Sequence, residues 1–145
     1  MFLGEHRHTI DSKGRLTIPA KFRPSLAGGV VVTRGLDGCL LAFPPTQWET
    51  LTQKINSLPL TQRDARDFSR LMYSAAAFCE PDGQGRILLP PALREYAALD
   101  NETIIVGTHT RFEIWNPQRW EEVKRKLDEN PEAIAEHLSN LGLGI

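Results

Sequence analysis

The chain has 145 residues, 41% of them hydrophobic and 24% charged, with a formal net charge of −1, values typical of a globular protein of one domain or two very small ones. Its longest apolar runs, such as Val30 to Thr33 and Thr103 to Val106, are far too short to span a membrane, and Cys39 and Cys79 cannot form a disulfide framework. The start, Met1-Phe2-Leu3-Gly4-Glu5-His6, lacks the basic and apolar stretches of a secretory leader, so a cytoplasmic location is expected.

In chain order, Glu5 to Ile10 reads as a polar-rich strand, Asp11-Ser12-Lys13-Gly14 as a turn with glycine at positive φ, and Arg15 to Ile18 as a second strand. A β-hairpin is therefore expected. Pro19 suits the first position of a short helix from Ala20 to about Leu26, where its missing N–H has no intrahelical partner. Val30 to Thr33 and Cys39 to Phe43 read as strands around the turn 34–38, and Pro44-Pro45 opens a helix with Trp48, Leu51 and Ile55 on one face. Such a stripe is far more often packed than a stacking platform for bases. Thr61 with Asp64 resembles a helix start, followed by the stripe Ala65, Phe68, Leu71 and Met72. The same β-rich order then returns, with helical stripes at Trp120, Val123 and Leu127 and around Ile134, Leu138 and Leu141. Subunit contacts are expected for part of the apolar surface of the linker and C-terminal helices.

This return is an internal repeat. Asp11-Ser12-Lys13-Gly14-Arg15-Leu16-Thr17-Ile18-Pro19 with Arg23 matches Asp82-Gly83-Gln84-Gly85-Arg86-Ile87-Leu88-Leu89-Pro90 with Arg94, seventy-one positions later. Thr33-Arg34-Gly35 and Leu41 to Pro45 with Trp48 correspond to Ile105-Val106-Gly107 and Glu113 to Pro117 with Trp120, seventy-two apart. The expected organisation is a first module 5–47, a helical linker 48–75, a second module 76–119 and C-terminal helices 120–145. The fold class is mainly β with flanking helices, α+β.

Charge is unevenly spread along this frame. Five bases face two acids from Met1 to Arg23, whereas six acids face three bases from Glu121 to the end. Arginine's planar fork pairs bidentately with guanine O6 and N7, and a two-stranded ribbon enters the major groove, so Arg15 and Arg86 lead as base or phosphate contacts. Lys13, Arg7, Lys21 and Arg23 suit phosphates. Asp11, Gly14, Asp82 and Gly85 structure the two turns, because a carboxylate facing phosphates would be repelled. Gln84, Pro91 and Ala92 replace Lys13, Ala20 and Lys21 in the second copy, so the first is expected to do most of the DNA contact. Arg23 and Arg94 suit an acid across the module interface as well as phosphate. His6 and His8 share a strand face and are expected to be exposed or DNA-facing rather than metal ligands. No nucleophile elbow, phosphate loop or dinucleotide fingerprint is present, so an enzyme, a small-molecule substrate and a cofactor are not expected.

The doubled Asp-x-x-Gly-Arg turn, in a chain beginning Met1-Phe2-Leu3-Gly4, resembles the bacterial MraZ family. The resemblance runs from Phe2 to about Leu127. It implies two SpoVT-AbrB-like modules in one chain, whose hairpins interlock into a pseudo-symmetric β-barrel. It further implies a homo-oligomeric ring that binds short direct repeats in double-stranded DNA and regulates the division and cell-wall gene cluster, its own promoter included, by repression and within the nucleoid. Two other readings are a ring-forming scaffold without sequence-specific DNA binding and an AbrB-like antitoxin, the latter disfavoured by the second full module.

Overall fold

The computed structural model describes residues 1–144; Ile145, the last residue of the expected C-terminal helical segment, lies outside the described residues. The strands are β1 (Glu5–Thr9), β2 (Arg15–Thr17), β3 (Val30–Arg34), β4 (Leu40–Phe43), β5 (Ala77–Cys79), β6 (Arg86–Leu88), β7 (Glu102–Gly107) and β8 (Phe112–Trp115). The helices are α1 (Pro45–Asn56), α2 (Arg63–Tyr73), α3 (Pro91–Tyr96), α4 (Pro117–Glu129) and α5 (Pro131–Ser139), with a 3-10 helix at Ala20–Leu26. Proline occupies the first turn of α1, α3, α4 and α5, where no amide hydrogen is needed. Pro24 lies inside the 3-10 helix, which stays short.

The halves of the chain exchange strands. Six strands form one sheet in the order β1-β7-β8-β4-β3-β5, and β2 with β6 forms a separate ribbon; every pair is antiparallel. The order reads the same from both ends once β1, β7 and β8 are matched with β5, β3 and β4, so a pseudo-two-fold axis passes between β4 and β8. The expected hairpin is corrected by this pairing. Strand β1 pairs with β7 and β2 with β6, while β1 and β2 meet only through the bridge Ile10 to Leu16 and the bond from Asp11 N to Arg15 O. In this ribbon, made across the repeat, Leu16 and Ile87 stand opposite one another and are both fully buried. The expected barrel is also corrected. Among the described residues the large sheet does not close, because β1 and β5 stand at its edges and the β2–β6 ribbon covers one face instead.

That face holds the main core, where Leu16, Ile18, Ile87 and Leu89 pack with Val30, Val32, Leu40, Ile105 and Ile114. Alternation along the strands sends Phe43, Ile104 and Trp115 to the other face, covered by α1 and α2 on one half and by α4 on the other. The packing repeats: Phe43 meets Trp48 and Trp115 meets Trp120, each with ring centroids 5.6 Å apart. The tryptophan stripes therefore pack, although Leu127 at the end of its stripe is exposed. Register also refines the repeat. Phe43 opposite Val31 and Trp115 opposite Ile104 make β3 and β7 correspond at seventy-three residues rather than seventy-two, so Arg34 matches Gly107.

The linker is two helices, and α2 begins at Arg63 rather than Thr61, with Gln62 before it and no side-chain cap. Arg34 fixes its end, donating from Nε to Leu71 O at 3.0 Å and from Nη2 to Leu71 O and Ser74 Oγ. At the matching position Gly107 leaves room for the N-terminal segment, since a Cβ there would fall on the backbone of Phe2 and Leu3.

Candidate nucleic-acid interface

Both Asp-x-x-Gly-Arg turns have the same wiring. Asp11 Oδ1 accepts from Lys13 N at 3.0 Å and Arg15 N at 2.9 Å, and Oδ2 accepts from Arg15 Nε at 2.6 Å. Asp82 Oδ1 accepts from Gln84 N at 2.9 Å and Arg86 N at 3.0 Å, and Oδ2 from Arg86 Nε at 2.9 Å. Gly14 and Gly85 close the turns at φ +87° and +74°, a region that side chains with a Cβ rarely adopt. Each carboxyl is held below its ordinary range, first by the backbone N–H of the arginine four residues on. Using Nε for the aspartate leaves the terminal amino groups of Arg15 uncommitted among the described residues, the part of the guanidinium that forks onto a base edge.

The β2–β6 ribbon brings the turns together. Arg86 Nη1 lies 3.8 Å from Asp11 Oδ2, and the ladder continues into each turn through Ile18 N to Gly85 O and Leu89 N to Gly14 O, both 2.9 Å. Pleating buries Leu16 and Ile87, leaving Arg15, Thr17, Arg86 and Leu88 on the outer side, with Arg15 opposite Leu88 and Thr17 opposite Arg86. Two arginines thus sit diagonally on one narrow ribbon.

Arg23 and Arg94 clamp this arrangement crosswise. Arg23 Nε donates to Ile18 O and Arg94 Nε to Leu89 O, both at 3.0 Å. The Arg23 guanidinium lies over Gly85 of the other copy, and that of Arg94 over Gly14, where a Cβ would come within 2.8 Å of its Cζ. Sequence spacing could not reveal this crossing, because each arginine serves a turn about sixty to eighty residues away; the shared offset of twelve residues from each turn aspartate was the available signal.

The remaining expected contacts divide. Lys13 is exposed at the tip of the first turn and Lys21 on the 3-10 helix, both in segments joined to the ribbon. Arg7 stands apart: it points to the α4 side of β1, pairs with Glu102 at 3.3 Å and lines a groove of about 860 Å³ with Gln118, Glu121, Lys124 and Arg125. His6 and His8 face the ribbon side and are half-buried, not exposed. His6 Nε2 lies 2.9 Å from Leu3 O and its ring packs edge-on to Phe22. Burial first, then the charges of His6 and Arg23, lowers the His8 pKa. Among the described residues no three His, Cys, Asp or Glu side chains form a metal-binding group. Burial pushes the Cys39 thiol up to about 12 and raises that of Cys79, so both are packing groups rather than nucleophiles. No helix among the described residues is long and apolar enough to cross a membrane.

Comparison with known proteins gives a family. The profile described as "MraZ protein, putative antitoxin-like" matches residues 1–71 and again 72–140. A protein of Pelotomaculum thermopropionicum named transcriptional regulator MraZ is 53% identical over 145 residues, the whole of both chains. Proteins of the same name from Moorella thermoacetica and Ligilactobacillus salivarius are 54% identical over 95% of this chain and 96% of theirs, and 51% identical over 99% and 100%.

Proposed function

The chain belongs to the MraZ family, and we propose on that premise that it is a transcription regulator whose paired turns read double-stranded DNA in the major groove. The observation that carries this reading is the two-arginine ribbon. Arg15 and Arg86 are pinned at Nε by Asp11 and Asp82 and sit diagonally on the outer side of a ribbon only two strands wide, Arg15 with its terminal amino groups uncommitted among the described residues and Arg86 with Nη1 3.8 Å from Asp11 Oδ2. Lys21 and Arg23 supply phosphate contacts around the first turn, at whose tip Lys13 adds a further exposed cation; Arg23 also clamps Gly85. Segments 11–23 and 82–94 together carry six bases against two acids, a local cationic face that the net charge of −1 conceals.

The relatives' name supports regulation. A homo-oligomeric ring, direct repeats spaced by about one helical turn, roughly 10 base pairs, and control of the division and cell-wall cluster with its own promoter complete the proposal, with repression in the nucleoid as the mode. A single ribbon makes few contacts, and linking several raises the effective concentration of each next one. The chain performs no catalysis in this reading.

Fluorescence-anisotropy titration of a duplex carrying the upstream repeats, against a shuffled duplex, tests it with wild type and Arg15→Ala at two salt concentrations. Preference for the repeats that is lost in Arg15→Ala, by about 1–3 kcal/mol per base contact, and that weakens with salt supports it. Equal, weak binding to both duplexes sinks it in favour of a scaffold.

A further inference from the structure

The pseudo-two-fold axis relates the two turns atom for atom in their backbone and aspartate hydrogen bonds, but not in the side chain each carries at its tip. The residue held by the first bond to aspartate is Lys13 in one turn and Gln84 in the other. Both are exposed, and among the described residues neither Lys13 Nζ nor the Gln84 carboxamide has a hydrogen-bond partner. Their backbone is fixed and their polar ends are free, the condition in which a side chain is available to read a base.

We propose that Lys13 and Gln84 are the specificity-determining pair that makes the element recognised by one chain directional, Lys13 favouring guanine and Gln84 favouring adenine. The inference rests on the DNA-reading function proposed above. Duplex DNA has its own local dyads, so a two-fold ribbon sets Arg15 and Arg86 on equivalent positions of opposite strands. Two identical turns would therefore select a palindrome. Lysine carries only donors, which suit the O6 and N7 acceptors of guanine, whereas the glutamine carboxamide combines an NH2 that donates to adenine N7 with a carbonyl that accepts from adenine N6–H. Thr17 opposite Arg86 and Leu88 opposite Arg15 add a second difference on the same ribbon, polar on one side and apolar on the other.

The test is selection from a randomised duplex library by the full-length protein, followed by titration of the selected sites. Wild type is expected to select a non-palindromic motif with G·C under one turn and A·T under the other. Gln84→Lys is expected to convert the A·T position to G·C, and Lys13→Gln the G·C position to A·T, each by about tenfold in relative affinity. The double exchange is expected to restore one position of each kind. Variants that weaken binding to all sequences alike while keeping the wild-type preference at both positions overturn the inference and leave DNA reading intact. A wild-type protein that selects no motif overturns both.

Discussion

Asp11 and Asp82 each place a negative charge beside the surface proposed to meet DNA. Taken as charge alone, removing Asp11 tightens DNA binding; taken as the pin of Arg15 and of the turn amides, removing it loosens binding. Three bonds between 2.6 and 3.0 Å favour the pin, so Asp11→Ala is expected to bind duplex DNA more weakly by anisotropy, and tighter binding would refute the role. Both aspartates have a folded pKa below the ordinary value. Their contribution is complete above the unfolded pKa of about 4 and is lost as pH falls through the lower, folded one. His8 acts earlier. Its pKa is depressed in the folded chain, so its contribution is complete above about pH 6.5 and declines below it. Melting temperature is expected to drop between pH 7 and 5, by less in His8→Gln than in wild type. Glycine offers a cleaner contrast: Gly85→Ala meets both a positive φ and the Arg23 guanidinium, whereas a Cβ at Gly83 meets open space. Thermal melts are expected to show a loss of about 1–3 kcal/mol for the first and almost none for the second.

The β2–β6 ribbon is the element on which the site depends, and it has no counterpart within either half of the chain. Strand β1 likewise finds β7, and β5 finds β3, only across the repeat. Residues 1–71 or 72–145 alone therefore lack the partner strands that bury Leu16 or Ile87. Each half is expected to give an unfolded or self-paired species by circular dichroism and light scattering, and the two mixed are expected to recover a one-to-one complex. A half that folds as a monomer would contradict the exchange. Within the ribbon, Ile87→Ala is expected to cost about 2–5 kcal/mol, as a buried large-to-small change does. Leu88→Ala, 59% exposed, is expected to leave stability nearly unchanged in the same denaturant titration.

At the scale of the molecule, α2 and α5 are the unequal members of the repeat. Helix α2 is tied to β3 by Arg34 and by Thr33 Oγ1 to Met72 O, while α5 buries none of its residues and leaves Ile134 and Leu138 exposed. Val106 and Gly107, at the positions of Thr33 and Arg34, have no polar side chain to bond helix carbonyls. If the ring forms through this stripe, light scattering gives a mass several times 16.3 kDa. Ile134→Asp with Leu138→Asp then lowers that mass without changing the circular dichroism. An unchanged mass assigns subunit contact to another surface.

The residues by themselves determined the repeat, the strand and helix order, the turn glycines, the packing tryptophans and the roles of Asp11 and Asp82 as turn-forming groups. All of these follow from spacing and side-chain chemistry within a few residues. Pairing is different, because a short strand such as Arg15-Leu16-Thr17 fits a partner in its own copy or in the other equally well by pattern. The tertiary structure decides between them by setting Leu16 against Ile87, where both are fully buried. That choice opened the expected barrel into a sheet with a covering ribbon and carried Arg23 and Arg94 onto the opposite turns. It also turned Arg7 toward α4 and half-buried His6 and His8, since strand alternation assigns a face only once the partner strand and its core are fixed.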